Sequence, residues 1–103
     1  MAYRVVISES LEEKMKKLDI LIKRRIFKLV DKLEQNPFVG KPLKYDFFRE
    51  KKMNGFRLYY LILKDVLLVV FLDFSDKKGQ QKVIDTILMN LKQTILEIKR
   101  KYG

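Results

Sequence analysis

Arg57 and Tyr59 stand two residues apart in Gly55-Phe56-Arg57-Leu58-Tyr59-Tyr60, and Arg49, Lys51 and Lys52 precede them across an Asn54-Gly55 pair. Guanidinium is planar, permanently charged and matched to phosphate oxygens through its fork of N–H donors. The chain contains no histidine and no cysteine. That excludes thiolate chemistry, Ser-His and Cys-His nucleophile pairs and the common zinc sites. A cluster of fixed positive charge and phenol suits a phosphate better than a metal or an acyl group. Metal catalysis would need converging carboxylates, and Asp73 with Asp76 alone do not supply them.

Holding these groups together requires a rigid hairpin. Asn-Gly is the preferred pair for a two-residue type I′ turn, in which both central residues take positive φ. Strands over Tyr45 to Met53 and Phe56 to Leu63 put Arg57 and Tyr59 on one face, with Tyr60 opposite beside Phe56, Leu58 and Ile62. Tyr60 therefore reads as core, and Tyr59 is free to stack on a base. For Arg57 the plain alternative is a strand residue bonded to an acid such as Glu50. For Lys51 and Lys52 it is protection of a sheet edge against aggregation.

The remaining elements follow from periodicity. Tyr3 to Ser8 is β-branched and reads as a first strand. Leu11, Met15, Leu18, Ile22, Ile26, Leu29 and Leu33 recur at gaps of three and four, a helical stripe that Ser8 or Ser10 caps. One helix of that span would be about 37 Å long, so a helical hairpin breaking near Asp19 is expected. Asn36-Pro37 ends it, and Phe38 to Lys44 reads as a loop. Val66 to Phe74 is a nearly continuous apolar strand. A final helix is expected from about Gln80 to Lys101. The order β-α-α-β-β-β-α predicts one α+β domain over residues 1–103: a small, mostly antiparallel sheet of about four strands, with one face covered by helices and the other partly open.

Composition narrows the partners. Hydrophobic residues form 48 % of the 103, enough for a packed core. Lysine and arginine number 23 against 13 acids, a net charge of +10. Such an excess speaks to nucleic acid, an acidic protein or an anionic membrane surface, nucleic acid being the commonest explanation in a small domain. No apolar stretch approaches a membrane span, and Met1 to Ile7 is too short and β-branched for a signal peptide, so a cytoplasmic protein without membrane attachment is expected.

Gly40-Lys41-Pro42-Leu43 ahead of the sheet, the Gly55-to-Tyr60 element, the apolar strand to Phe74 and the basic turn Ser75-Asp76-Lys77-Lys78 resemble the RelE/ParE superfamily of type II toxins. The resemblance implies a RelE-like toxin that cuts mRNA in the ribosomal A site with the substrate 2′-hydroxyl as nucleophile, needing neither metal nor other cofactor. It also implies a cognate antitoxin that wraps the domain with an acidic amphipathic segment. Arg57 falls on the family's strand arginine, which stabilises the transition-state phosphate, with Lys51 and Lys52 beside it as further catalytic groups. Arg49, Tyr59, Lys77 and Lys78 become RNA contacts. Proton transfer would fall to Lys51, Lys52, Tyr59, Tyr60 or an acid, cationic crowding lowering a lysine's pKa. The family tyrosine early in the last helix is missing, Val83 and Ile84 standing there. Two alternatives stay open: a ParE-like gyrase inhibitor, and a non-catalytic RNA- or protein-binding member of the fold.

Overall fold

Caps and alternation set the elements of this computed structural model, which describes residues 2–103. Strand β1 (Arg4–Ile7) leads into Ser8, whose Oγ accepts from Leu11 N at 3.2 Å and starts helix α1 (Glu9–Met15). Asp19 accepts from Leu21 N at 2.7 Å and starts α2 (Ile20–Gln35), so the helical stripe breaks where expected. Asn36 closes α2 and caps a short 3₁₀ turn over Pro37–Val39. Then come β2 (Lys41–Leu43), β3 (Tyr45–Met53), β4 (Phe56–Leu63) and β5 (Leu68–Ser75). The five strands lie in the order β1-β5-β4-β3-β2, with β1 parallel to β5 and the other pairs antiparallel.

Four details depart from the sequence reading. The segment expected as a loop contains β2, because Lys41 and Pro42 pair with Glu50 and Arg49. The final helix is two: α3 (Gln80–Met89) and α4 (Leu91–Tyr102). Asn90 separates them, donating from Nδ2 to Thr86 O at 2.9 Å, the kind of local bond by which asparagine competes with a helix. The Asn54-Gly55 turn is not type I′, since only Gly55 has a positive φ, 79°; a single left-handed glycine in that position is the type II pattern.

The largest departure is that both sheet faces are covered. Leu11, Met15, Ile26, Leu29 and Leu33 of α1 and α2 pack on Phe56, Leu58, Tyr60, Ile62, Val69 and Phe71. On the other side Ile84, Leu91 and Ile98 of α3 and α4 pack on Phe48, Tyr59, Leu61, Leu63, Leu68 and Val70. Strand β4 thus feeds two cores by strict alternation, as a central strand must when both faces are dry. No helix among the described residues is long and apolar enough to cross a membrane.

Candidate functional site

The β3–β4 ladder pairs Lys52 with Arg57, Glu50 with Tyr59 and Met53 with Phe56, and β5 sets Ser75 beside Arg57. Two cations directly opposed across a ladder are destabilising by themselves. Glu50 offsets this: its Oε1 accepts from Arg57 Nε at 3.1 Å and its Oε2 from Gln80 Nε2 at 2.9 Å. Both side chains of the ion pair are nearly buried, Arg57 at 12 % and Glu50 at 8 % exposure. Gln80 opens α3, so the helix that seals the second core also steadies the carboxylate.

Arg57 is therefore bonded to Glu50, as its structural alternative expected. The guanidinium still has an open side. Its two terminal nitrogens make no hydrogen bond, and no buried side-chain nitrogen or oxygen among the described residues lacks a partner, so both reach solvent. Exposed Lys52 stands across the ladder, and exposed Lys77 and Lys78 lie in the turn that follows Ser75. Asp76 holds that turn by accepting from Gly79 N at 2.7 Å. The result is a corner with a fixed carboxylate, a half-satisfied guanidinium and loose ammonium groups around it.

Four expected site residues lie elsewhere. Tyr59 is fully buried in the second core, bonded to Ser75 Oγ at 2.8 Å, so it presents no ring to a base. Burial also pushes its phenol pKa up, against a role in proton transfer at neutral pH. Tyr60 is equally buried, and burial raises its phenol too. Arg49, expected as an RNA contact, is packed into the fold rather than presented at the surface. It is 7 % exposed, it donates to Asp46 O at 2.8 Å and Gly40 O at 2.9 Å, and it pairs with Asp46 at 2.5 Å. Its guanidinium ties β3 to the Gly40 loop, where a Cβ would meet Tyr60 Oη at 2.5 Å and Glu50 O at 2.8 Å, so only glycine fits. Lys51 alternates away from Arg57 and lines a groove with α2 instead. Of the residues expected to act with Arg57, Lys52, Lys77 and Lys78 stay on its side of the molecule's rim.

Sequence reasoning gave Glu50 only the part of a structural partner and missed Gln80. The available signal was the two-residue spacing that puts Glu50 and Lys52 on one face of β3. Nothing local pointed to Gln80. Among the described residues no group of three acidic, histidine or cysteine side chains is arranged to hold a metal ion.

No protein-family model and no curated protein sequence matches the chain. Its structure is similar to solved toxin structures. One is the Escherichia coli toxin RelE in complex with an antitoxin RelB peptide, at TM-score 0.67 and 17 % identity, covering 81 % of this chain and 95 % of that one. Another is the RelBE2 toxin–antitoxin complex of Mycobacterium tuberculosis, at TM-score 0.66 and 23 % identity, covering 75 % and 100 %. A third is the archaeal RelE–RelB complex of Pyrococcus horikoshii, at TM-score 0.68 and 20 % identity, covering 75 % and 97 %. At these identities the similarity establishes the fold.

Proposed function

We propose that this chain, which has the fold of RelE toxins, is the toxin of a toxin–antitoxin pair and a metal-independent, ribosome-dependent mRNA endoribonuclease of the cytoplasm. The observation that carries the reading is the Arg57–Glu50 corner, a guanidinium with its terminal nitrogens open beside a fixed carboxylate. In RNA cleavage the 2′-oxygen attacks phosphorus, the P–O5′ bond breaks, and a 2′,3′-cyclic phosphate forms. Glu50 is the base that takes the 2′-hydroxyl proton. Arg57 meets the non-bridging oxygens as their charge grows, and Lys52, its partner across the ladder, gives the departing 5′-oxygen its proton. Preorganised donors of this kind contribute about 10²- to 10³-fold in rate, and general base help about 10²- to 10⁴-fold. Lys77 and Lys78 draw in the message by charge, as the net +10 does at longer range. A cognate antitoxin with an acidic amphipathic segment silences the toxin by covering the same charge and the exposed Ile20, Leu21 and Phe27 of α2.

Induction of the chain without an antitoxin is expected to arrest translation and to leave discrete mRNA ends, mapped by primer extension. Arg57→Ala should reduce cutting by about 10²-fold or more. Unimpaired growth and intact messages on strong induction of soluble protein would defeat the proposal.

One observation favours a second reading. Glu50 neutralises the arginine on which the chemistry depends, as expected in a descendant of the fold that binds but does not cut. On that reading Arg57→Ala weakens binding and there is no cleavage to lose.

A further inference from the structure

A groove of about 450 Å³ runs between α2 and the tip of the β3–β4 hairpin, on the far side of the sheet from the α3–α4 core. Arg25, Lys28 and Lys32 line one wall and Lys51 and Lys52 the other; no acid does. Elsewhere some cations meet acids: Lys14, Lys16, Arg49, Arg57, Lys64, Lys99 and Lys101 have carboxylate partners. None of the five in the groove has one among the described residues.

A solvated charged face is the ordinary fate of such residues on a helix. Here two elements bring them together in a concave site. Arg25, Lys28 and Lys32 form a single stripe of α2, roughly 10 Å long at 1.5 Å per residue. Lys28 and Lys32 sit four apart, a like-charge spacing that destabilises a helix. A second basic wall adds to that repulsion, and a polyanion in the groove would relieve it. The floor decides what kind. Leu29 is buried, Met53 half-buried, and no aromatic side chain lines the groove. An amphipathic peptide would find no open apolar seat there, and a base no ring to stack on.

We infer that this groove binds the phosphodiester backbone of a nucleic-acid strand, independently of base sequence. Lys52 both lines the groove and opposes Arg57 across the ladder, so a strand anchored here is led over the hairpin edge toward the Arg57 corner. That continuity rests on the proposed RNA cleavage; the binding does not.

The test is fluorescence anisotropy across a salt series, with labelled RNA and DNA strands of one sequence, about 12 nucleotides long. Lys28→Glu/Lys32→Glu is compared with Lys17→Glu/Lys92→Glu, which removes equal charge at exposed positions outside the groove. The groove variant should bind at least about tenfold more weakly, with a salt slope shallower by roughly 2, near 1 for each phosphate no longer neutralised. The control should stay within about threefold of wild type, and RNA and DNA should bind alike because only phosphates are read. Lys28→Gln/Lys32→Gln should shift affinity the same way without charge reversal, with wild-type circular dichroism showing that the fold is kept. Equal weakening in groove and control variants would overturn the inference, as would equal binding of an oligoglutamate peptide matched in charge. The two proposals fail separately: strand binding is read without cleavage, and Arg57→Ala tests cleavage with the groove intact.

Discussion

On the α3 side of the β3–β4 hairpin, Arg57 is held by Glu50 and the carboxylate in turn by Gln80; on the α2 side, Arg25, Lys28, Lys32 and Lys51 have no acid at all, and Lys52, opposite Arg57 on the ladder, stands at the hairpin edge between the two. The two sides put positive charge to different use. A guanidinium fixed at 12 % exposure has lost its conformational freedom during folding and meets a ligand in one geometry. Mobile ammonium groups on a groove wall attract at longer range, bind without orienting, and weaken steeply with salt. The fixed corner is suited to chemistry and the open groove to capture.

The sharpest way to break that contrast is Glu50→Ala. Removing one partner of a nearly buried pair leaves Arg57 uncompensated, at an expected cost of about 3 kcal/mol in denaturant unfolding, the low end because its terminal nitrogens still reach water. Lys28→Gln, on the open side, should change stability by no more than about 0.5 kcal/mol. Equal costs for the two would mean that Arg57 is as loosely held as the groove lysines. Replacing Glu50 and Arg57 together by leucine should recover most of the loss.

The two adjacent tyrosines sharpen the same comparison. Tyr60 Oη donates to Pro37 O at 2.6 Å and accepts from Gly40 N at 3.0 Å, whereas Tyr59 Oη meets only the Ser75 hydroxyl. Tyr60→Phe leaves a buried backbone N–H without a partner and should cost about 1–3 kcal/mol. Tyr59→Phe should cost less, because the Ser75 hydroxyl it frees can rotate to another acceptor. Thermal unfolding of the two variants ranks them, and the reverse order would show the Gly40 loop to be held by Arg49 alone.

The smallest effect concerns the clasp of α4 over the second core. Lys101 bonds Glu9 and Lys99 bonds Asp65, and each lysine holds its carboxylate below the ordinary range. Such carboxylates stabilise the folded state above their unfolded pKa, and the contribution fades as pH falls through the lowered folded value. Protection of the α4 amides, measured against their intrinsic exchange at each pH, should therefore fall modestly below about pH 4, and salt should mute the change because both acids are exposed. Protection independent of pH in that window would leave Ile98 and Leu91 as the whole anchor.

The α+β class, the break before α2 at Asp19, the hairpin and the core role of Tyr60 were legible because caps and periodicity are local. Asn90 was harder to see as a helix break, since Ile84, Ile87, Leu88, Leu91, Ile95 and Ile98 continue one apolar stripe through it. The second core was obscured for a related reason: Tyr59, Leu61 and Leu63 share Arg57's face, so an apolar strand face and a basic rim overlap in the same few residues. Gly40 looked like loop punctuation, yet its carbonyl is what captures Arg49 and takes that cation out of the site.

By itself, the sequence determined the excess of positive charge, the alternation that separates Lys51 from Lys52, and most of the helix and strand segments, though not β2 or the break at Asn90. The partner of each polar group was decided only in three dimensions. Gln80 reaches Glu50 from thirty residues away, and Arg49 finds carbonyls of the 3₁₀ turn and the Gly40 loop. The physical reason is range: backbone preference and amphipathic period act over a few residues, whereas a hydrogen bond or ion pair depends on which distant atoms the packed core brings within about 3 Å.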